Sequence, residues 1–234
     1  MTTTFVLLHG AWHGGWCWER VAEPLRARGH RVTTPTQTGL GERAHLLSEH
    51  LTLETFIQDL VNHLAYEDLS DAILVGHSFG GNAVSGAAER VPERIRSLVY
   101  LDCTIMESGE SLLDKLAPGK LRERVDAFAA SPDGLGIDPP DPEAFGVTDP
   151  ADNAWVAARL TPHPISTMHA PLPITGPPGG GLSARYIVCT DPPYHSPDRV
   201  RAWSTRFGWH VDEIATGHDA MVTAPDALVE MLDR

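Results

Sequence analysis

The stretch Ala72-Ile73-Leu74-Val75-Gly76-His77-Ser78-Phe79-Gly80-Gly81 runs an apolar β-type segment straight into a serine flanked by glycines. The residues that follow, Ala83, Ser85, Gly86, Ala87 and Ala88, are small and spaced for a helix. A serine on a sharp strand-to-helix turn needs small neighbours on both sides, because the turn forces its backbone into a strained conformation. The helix behind it presents free N–H groups and a positive dipole end to a reacting carbonyl oxygen. Strand, Gly-x-Ser-x-Gly and small-residue helix together read as a nucleophile elbow at Ser78. A glycine-rich turn that merely joins two elements would account for the glycines but for none of the rest.

Outward from this point, short apolar runs alternate with helical patterns, as in a parallel sheet covered on both faces. The strands predicted are Phe5–Leu8, Arg31–Thr34, Ala72–Val75, Ile95–Leu101, Ala184–Cys189 and His210–Ile214. The helices predicted are Trp16–Arg28, Leu53–Tyr66, Gly80–Arg90, Pro197–Phe207 and Pro225–Leu232. In the second of these, Phe56, Leu60, Val61 and Leu64 form a stripe at helical spacing. Between Glu107 and Ser183 the composition changes. A predicted helix, Leu112–Ala130, leads into proline- and glycine-rich stretches such as Asp138-Pro139-Pro140-Asp141-Pro142 and Pro177-Pro178-Gly179-Gly180-Gly181. Proline removes the donors that ladders and helices need. The segment nevertheless keeps Leu, Phe, Trp and Met, unlike a disordered linker. It is expected to be a cap, residues 107–183, over a core made of 1–106 and 184–234. The competing reading is a flexible tether between two halves.

The net charge of −13 argues against nucleic acid and anionic membrane as partners, since both call for basic patches. It is compatible with a neutral small molecule, and it leaves a homodimer open. No apolar run approaches membrane-spanning length. Cys17, Cys103 and Cys189 are odd in number and widely spaced, fitting neither a disulfide framework nor a metal site. A reduced, cytoplasmic protein without metal or cofactor is the expectation.

A serine needs a base near neutral pH. His218, in Ala215-Thr216-Gly217-His218-Asp219-Ala220-Met221, follows the last predicted strand and is the candidate. The chain order serine, acid, histidine then fits a triad on a sheet of this kind. Asp191, just after the Ala184–Cys189 strand, is the favoured acid; Asp102 competes, with Asp198 and Glu107 behind. Phe79 N–H and Ala11 N–H are the expected oxyanion donors, the latter from the turn His9-Gly10-Ala11-Trp12-His13-Gly14-Gly15-Trp16. Trp12, Trp155 and Met221 are candidate substrate contacts, with Met106 and Met168 as further lining. His77 is read as structural, and Cys103 as a small buried residue rather than a rival nucleophile.

These motifs, with Tyr186-Ile187-Val188-Cys189-Thr190 and Ala154-Trp155-Val156-Ala157-Ala158-Arg159-Leu160-Thr161-Pro162, resemble the α/β-hydrolase branch that holds plant methylesterases, hydroxynitrile lyases and bacterial pyrethroid-hydrolase-type carboxylesterases. The resemblance runs over almost the whole chain. It implies an α/β-hydrolase fold, a mostly parallel six-stranded sheet flanked by helices with an inserted cap, and cofactor-free hydrolysis of a small to medium apolar ester through an acyl-enzyme on Ser78. Two departures stand out. Family members place the acid two positions after the threonine that closes the seventh strand, where this chain has Pro192, and Asp191 comes one position early. The lyases carry a threonine where this chain has Gly10 and a lysine soon after the histidine, where it has Asp219, Ala220 and Met221. Hydrolysis is therefore favoured over cyanohydrin cleavage. Lactone hydrolysis, or a silent fold that binds a small ligand, are the alternatives.

Overall fold

The computed structural model describes residues 2–116, 123, 125 and 134–234. Six strands, β1 (Thr4–Leu8), β2 (Arg31–Thr33), β3 (Ala72–His77), β4 (Ile95–Leu101), β7 (Ala184–Cys189) and β8 (His210–Ile214), form one sheet in the order β2-β1-β3-β4-β7-β8. Every neighbouring pair is parallel. The remaining two, β5 (Gly136–Ile137) and β6 (His163–Pro164), make a separate antiparallel ladder. From β1 the chain goes one way to place β2 and the other way to place β3. The crevice between the carboxyl ends of β1 and β3 is thus a topological switch point, where open α/β sheets hold ligands.

The central strands are buried almost end to end, because helices cover both faces. Among them are α1 (Glu19–Ala27), α2 (Leu53–Tyr66) and α3 (Gly80–Arg90). In α2, Leu53, Phe56, Ile57, Leu60 and Leu64 face the core at helical spacing, each contributing about 1.5–3 kcal/mol by leaving water. The Thr52 N–H donates to Thr55 Oγ1 at 3.2 Å and so helps to start it. Glycine is required at position 80, since a Cβ there would lie 2.3 Å from the His9 carbonyl oxygen. That close approach lets α3 begin directly beneath the turn after β1.

Between β4 and β7 lie α4 (Leu112–Lys115), α5 (Pro150–Ala157), α6 (Ile165–His169) and the β5–β6 ladder. Most of the predicted Leu112–Ala130 helix falls outside the described residues. The described part sits over the carboxyl ends of the sheet. Thr161 N–H donates to Trp12 O at 3.0 Å, Trp12 Nε1–H to Ile137 O at 2.9 Å, and Asp219 N–H to Phe145 O at 3.1 Å. Gly146 and Gly217 meet so closely that a Cβ on Gly217 would be 2.7 Å from the Gly146 Cα. The chain closes with α7 (Pro197–Phe207), α8 (Ala220–Thr223) and α9 (Pro225–Leu232). No helix among the described residues is long and apolar enough to cross a membrane.

Candidate active site

Three non-glycine residues at the sheet's carboxyl edge have positive φ: Trp12 at 64°, Ser78 at 52° and Asp102 at 47°. Each follows a strand, β1, β3 and β4 respectively, and the left-handed backbone turns its side chain out of the ladder. Such conformations cost on the order of 1–3 kcal/mol apiece and persist where the surroundings impose them. Ser78 N–H is held by Leu101 O at 3.0 Å, and Asp102 N–H by Ile187 O at 2.8 Å. The strain is therefore tied down by the neighbouring strand in both cases.

His218 is buried in the turn between β8 and α8, and its Nδ1–H donates to Asp102 Oδ2 at 2.6 Å. The other carboxylate oxygen of Asp102 accepts the Cys189 N–H at 3.2 Å. With Nδ1 occupied as a donor, Nε2 carries the lone pair. His77, from the serine's own strand, donates its Nε2–H to the His218 carbonyl at 3.0 Å, and the two rings lie 4.6 Å apart. Burial, reinforced by the neighbouring His218 and His13, pushes His77 well below the ordinary imidazole range. It acts here as a neutral prop.

The acid is where sequence and structure part. Asp191 does not reach His218. Its N–H bonds Thr216 O at 3.1 Å, extending the β7–β8 ladder, and its exposed side chain lines a depression with Gly146, Asp149 and Thr216. Leu101 pairs with Ile187 in register, so β7 runs past the end of β4 and carries Asp191 beyond the histidine. Asp102 takes the place beside His218. Asp198 is exposed beside Arg201, and Glu107 pairs with Arg206.

Ser78, Phe79, Ala11 and Trp12 line a cavity of about 280 Å³, together with Met168 and Tyr194. Neither Ala11 N–H nor Phe79 N–H has a protein acceptor among the described residues. A larger depression of about 410 Å³ near Arg43, Asp59 and His63 is lined by no serine or cysteine. Two expected substrate contacts are displaced from this cavity. Trp155 packs edge-on against Trp16 at 5.1 Å, with Arg20 and Arg159 over its ring, and Met221 is fully buried in α8. Cys103 donates its thiol to Gly76 O at 3.0 Å, and burial pushes it far above the ordinary thiol range, which rules against a thiolate.

Two residues went unremarked in the sequence. Tyr194 stacks on the His218 ring at 3.9 Å and 23°, and His195 donates Nε2–H to Asp102 O at 3.2 Å. Burial lowers His195 to about 4. Their signal was an aromatic pair after Pro192-Pro193, close to the expected acid.

The model of the alpha/beta hydrolase family matches residues 5–231. The chain belongs to that family. It is 43% identical over 239 residues to a carbendazim hydrolyzing esterase from Nocardioides sp. (strain SG-4G), covering 97% of each chain. It is 26% identical to Methylesterase 10 of Arabidopsis thaliana, over 97% of this chain and 90% of the relative. Among solved structures, an extracellular alpha/beta-hydrolase from a Paenibacillus species, described as sharing structural and functional homology with tobacco salicylic acid binding protein 2, superposes with a TM-score of 0.81. The identity is 25%, over 98% of this chain and 97% of that one. Within the family the chain lies in the esterase and methylesterase branch and is a serine-type carboxylic ester hydrolase.

Proposed function

We propose that Ser78, His218 and Asp102 act as a triad on a small to medium apolar ester. The observation that supports this reading is the 2.6 Å His218–Asp102 bond, which leaves Nε2 free to serve as the base for a serine on a strained elbow. Ser78 Oγ attacks the ester carbonyl carbon while its proton passes to His218 Nε2. The Ala11 and Phe79 N–H groups stabilise the oxyanion, and Asp102 stabilises the imidazolium. Collapse breaks the bond to the alkoxide, which takes the proton from His218. Water, giving a proton to the same nitrogen, then attacks the acyl-enzyme; collapse breaks the ester bond to Ser78, whose Oγ takes the proton back from His218 as the acid leaves. The cavity's size and its Trp12, Phe79 and Met168 walls suit a compact apolar acyl or alkoxy group.

Labelling with a fluorophosphonate, followed by mass spectrometry, tests the nucleophile. One adduct on Ser78, with turnover of short nitrophenyl esters, is expected. Ser78→Ala should lower kcat by about 10⁴-fold or more; activity retained above a few per cent of wild type would overturn the serine mechanism. Carbendazim belongs in the substrate panel because of the Nocardioides relative. A reducing compartment, the cytoplasm, accords with three buried and unbridged thiols.

A further inference from the structure

Hydrogen-bond chemistry assigns a charge state to each of four histidines buried around the site. His9 Nδ1–H donates to Gly10 O at 2.8 Å, and its Nε2 accepts the Gln37 N–H at 3.0 Å. One donor and one acceptor make a neutral ring, and burial lowers His9 to about 3. His163 Nδ1 faces the Trp12 N–H at 3.4 Å, and its Nε2–H is donated to Thr167 Oγ1 at 2.9 Å, the threonine hydroxyl being given to Pro164 O. It too is neutral, lowered by burial to about 3. His77 donates once, to His218 O. His13 differs. Its Nδ1 lies 2.7 Å from Ala11 O and its Nε2 3.0 Å from Asp219 Oδ2. A carbonyl oxygen only accepts, and so does an ionised carboxylate, so with Asp219 ionised both ring nitrogens donate.

We propose that His13 is an imidazolium paired with Asp219, and that this sealed ion pair is a positioning strut joining the oxyanion turn to the turn that holds His218. The peptide between Ala11 and Trp12 is pinned at both ends, its carbonyl by His13 and its N–H by His163. The peptide between His218 and Asp219 is pinned likewise, its carbonyl by His77 and its N–H by Phe145 O. The His13–Asp219 bond connects the two. It therefore fixes the separation between the Ala11 N–H and the His218 ring, two groups that must act on one tetrahedral centre. The role rests on the triad reading given above.

The surroundings suit one buried charge of each sign. Trp16 stacks on the His13 ring at 5.4 Å, offering an aromatic face to a cation, and Phe145 lies at 5.5 Å. The titratable groups facing the pair are His9, His77, His218, Cys17, Cys189 and Tyr194. Burial holds His9 and His77 neutral, and burial with the charge of Asp219 holds Cys17 as a thiol. Asp219 Oδ1 has no hydrogen-bond partner among the described residues and faces His77 Nε2 at 3.9 Å. Asp219 thus depends on His13 for its counter-charge. The rival arrangement puts the shared proton on Asp219 Oδ2 and leaves both partners neutral.

Nitrogen-15 NMR of the wild-type side chains separates the two directly. The proposal expects two protonated ring nitrogens on His13 at pH 7, persisting above the ordinary imidazole range. A single protonated nitrogen at pH 7 overturns it, whether or not any variant folds. Asp219→Asn and His13→Asn should each lower kcat on a nitrophenyl ester by about 10- to 100-fold with KM within about threefold. The double variant should be no worse than the poorer single one, as for two ends of one strut. Wild-type kcat in a folded Asp219→Asn enzyme would overturn the positioning role. Absence of Ser78 labelling in wild type would instead overturn the esterase mechanism, while the NMR result still decides the ion pair.

Discussion

Two histidine–carboxylate pairs lie within a few residues of each other at this site, and they differ in what the second ring nitrogen meets. In His218–Asp102 one nitrogen is bound to the carboxylate, and the other is left with its lone pair. In His13–Asp219 the second nitrogen is consumed by Ala11 O. The same two side-chain types thus give a proton acceptor in one place and a fixed cation in the other. A carboxylate beside a histidine does not by itself mark a catalytic pair; the second nitrogen must also be free to take a proton. Both pairs are buried, but only His218 has a partially exposed neighbour that lines the cavity. Tyr194, beside His218, is 42% exposed at the cavity, whereas His13 and Asp219 are sealed.

The largest effect that would sharpen the comparison lies on the open pair. Asp102→Asn keeps the shape but offers Nδ1 an amide, which favours the wrong tautomer of His218. A loss of about 10⁴-fold in kcat is expected. Asp191→Asn should stay within about twofold, because its side chain is exposed and bonded to nothing at the site. Steady-state kinetics on a nitrophenyl ester reads both. A crippled Asp191→Asn beside a nearly normal Asp102→Asn would reverse the assignment.

The place beside His218, expected for Asp191 and held by Asp102, marks what could be read from the sequence. Ser78, the turn from His9 to Trp16 and the six strands were legible because each is local: a run of residues encodes strand, turn and helix start in order. Ile95–Leu101, Ala184–Cys189 and His210–Ile214 match the observed strands residue for residue. The acid is not local. Choosing Asp102 over Asp191 requires knowing that Leu101 pairs with Ile187, a register set by packing across the sheet. The sequence did carry a warning, Pro192 where relatives place the acid, but a missing residue does not name its substitute. Trp155 packs away from the cavity, which the sequence could not show for a similar reason. An aromatic in a cap segment fits pocket or packing equally well until its neighbour, Trp16, is known. Helix α5, short and opened by Pro150 behind the Asp149 side chain, was not predicted within the proline- and glycine-rich cap segment.

The sealed pair makes a prediction about pH and stability. Burial opposes a charge on His13, but the charge and hydrogen bond of Asp219, with the Ala11 carbonyl, outweigh it and raise the group above 6.5. A raised histidine contributes stability that is fully present below pH 6.5 and is lost as pH climbs through the folded-state value. His9 and His163 run the other way. Lowered to about 3, they contribute stability present above 6.5 and lost as pH falls toward about 3. Each limb changes by up to about 1.4 kcal/mol per pH unit per group. Thermal melts from about pH 4 to 9 should therefore decline on both sides of the ordinary histidine range. Asp219→Asn should flatten the alkaline side alone. An unchanged alkaline side in that variant would mean that the pair holds no net charge on His13.

The smallest expected effect tests the open edge of the comparison. Tyr194 lies nearly parallel to His218, so a phenol face covers one side of the imidazole while the other edge faces Asp102. An aromatic face attracts a cation by roughly 0.5–1 kcal/mol at an exposed site. In the proposed mechanism His218 takes the serine's proton and becomes a cation, so the contact strengthens in the transition state and acts on kcat. Tyr194→Phe retains the face and should behave as wild type. Tyr194→Leu fills the space without it and should lower kcat by about two- to fivefold, the same 0.5–1 kcal/mol expressed as a rate. If Leu and Phe behave alike, the ring is only a wall of the cavity. If Phe falls as far as Leu, the hydroxyl rather than the ring face is what the site uses.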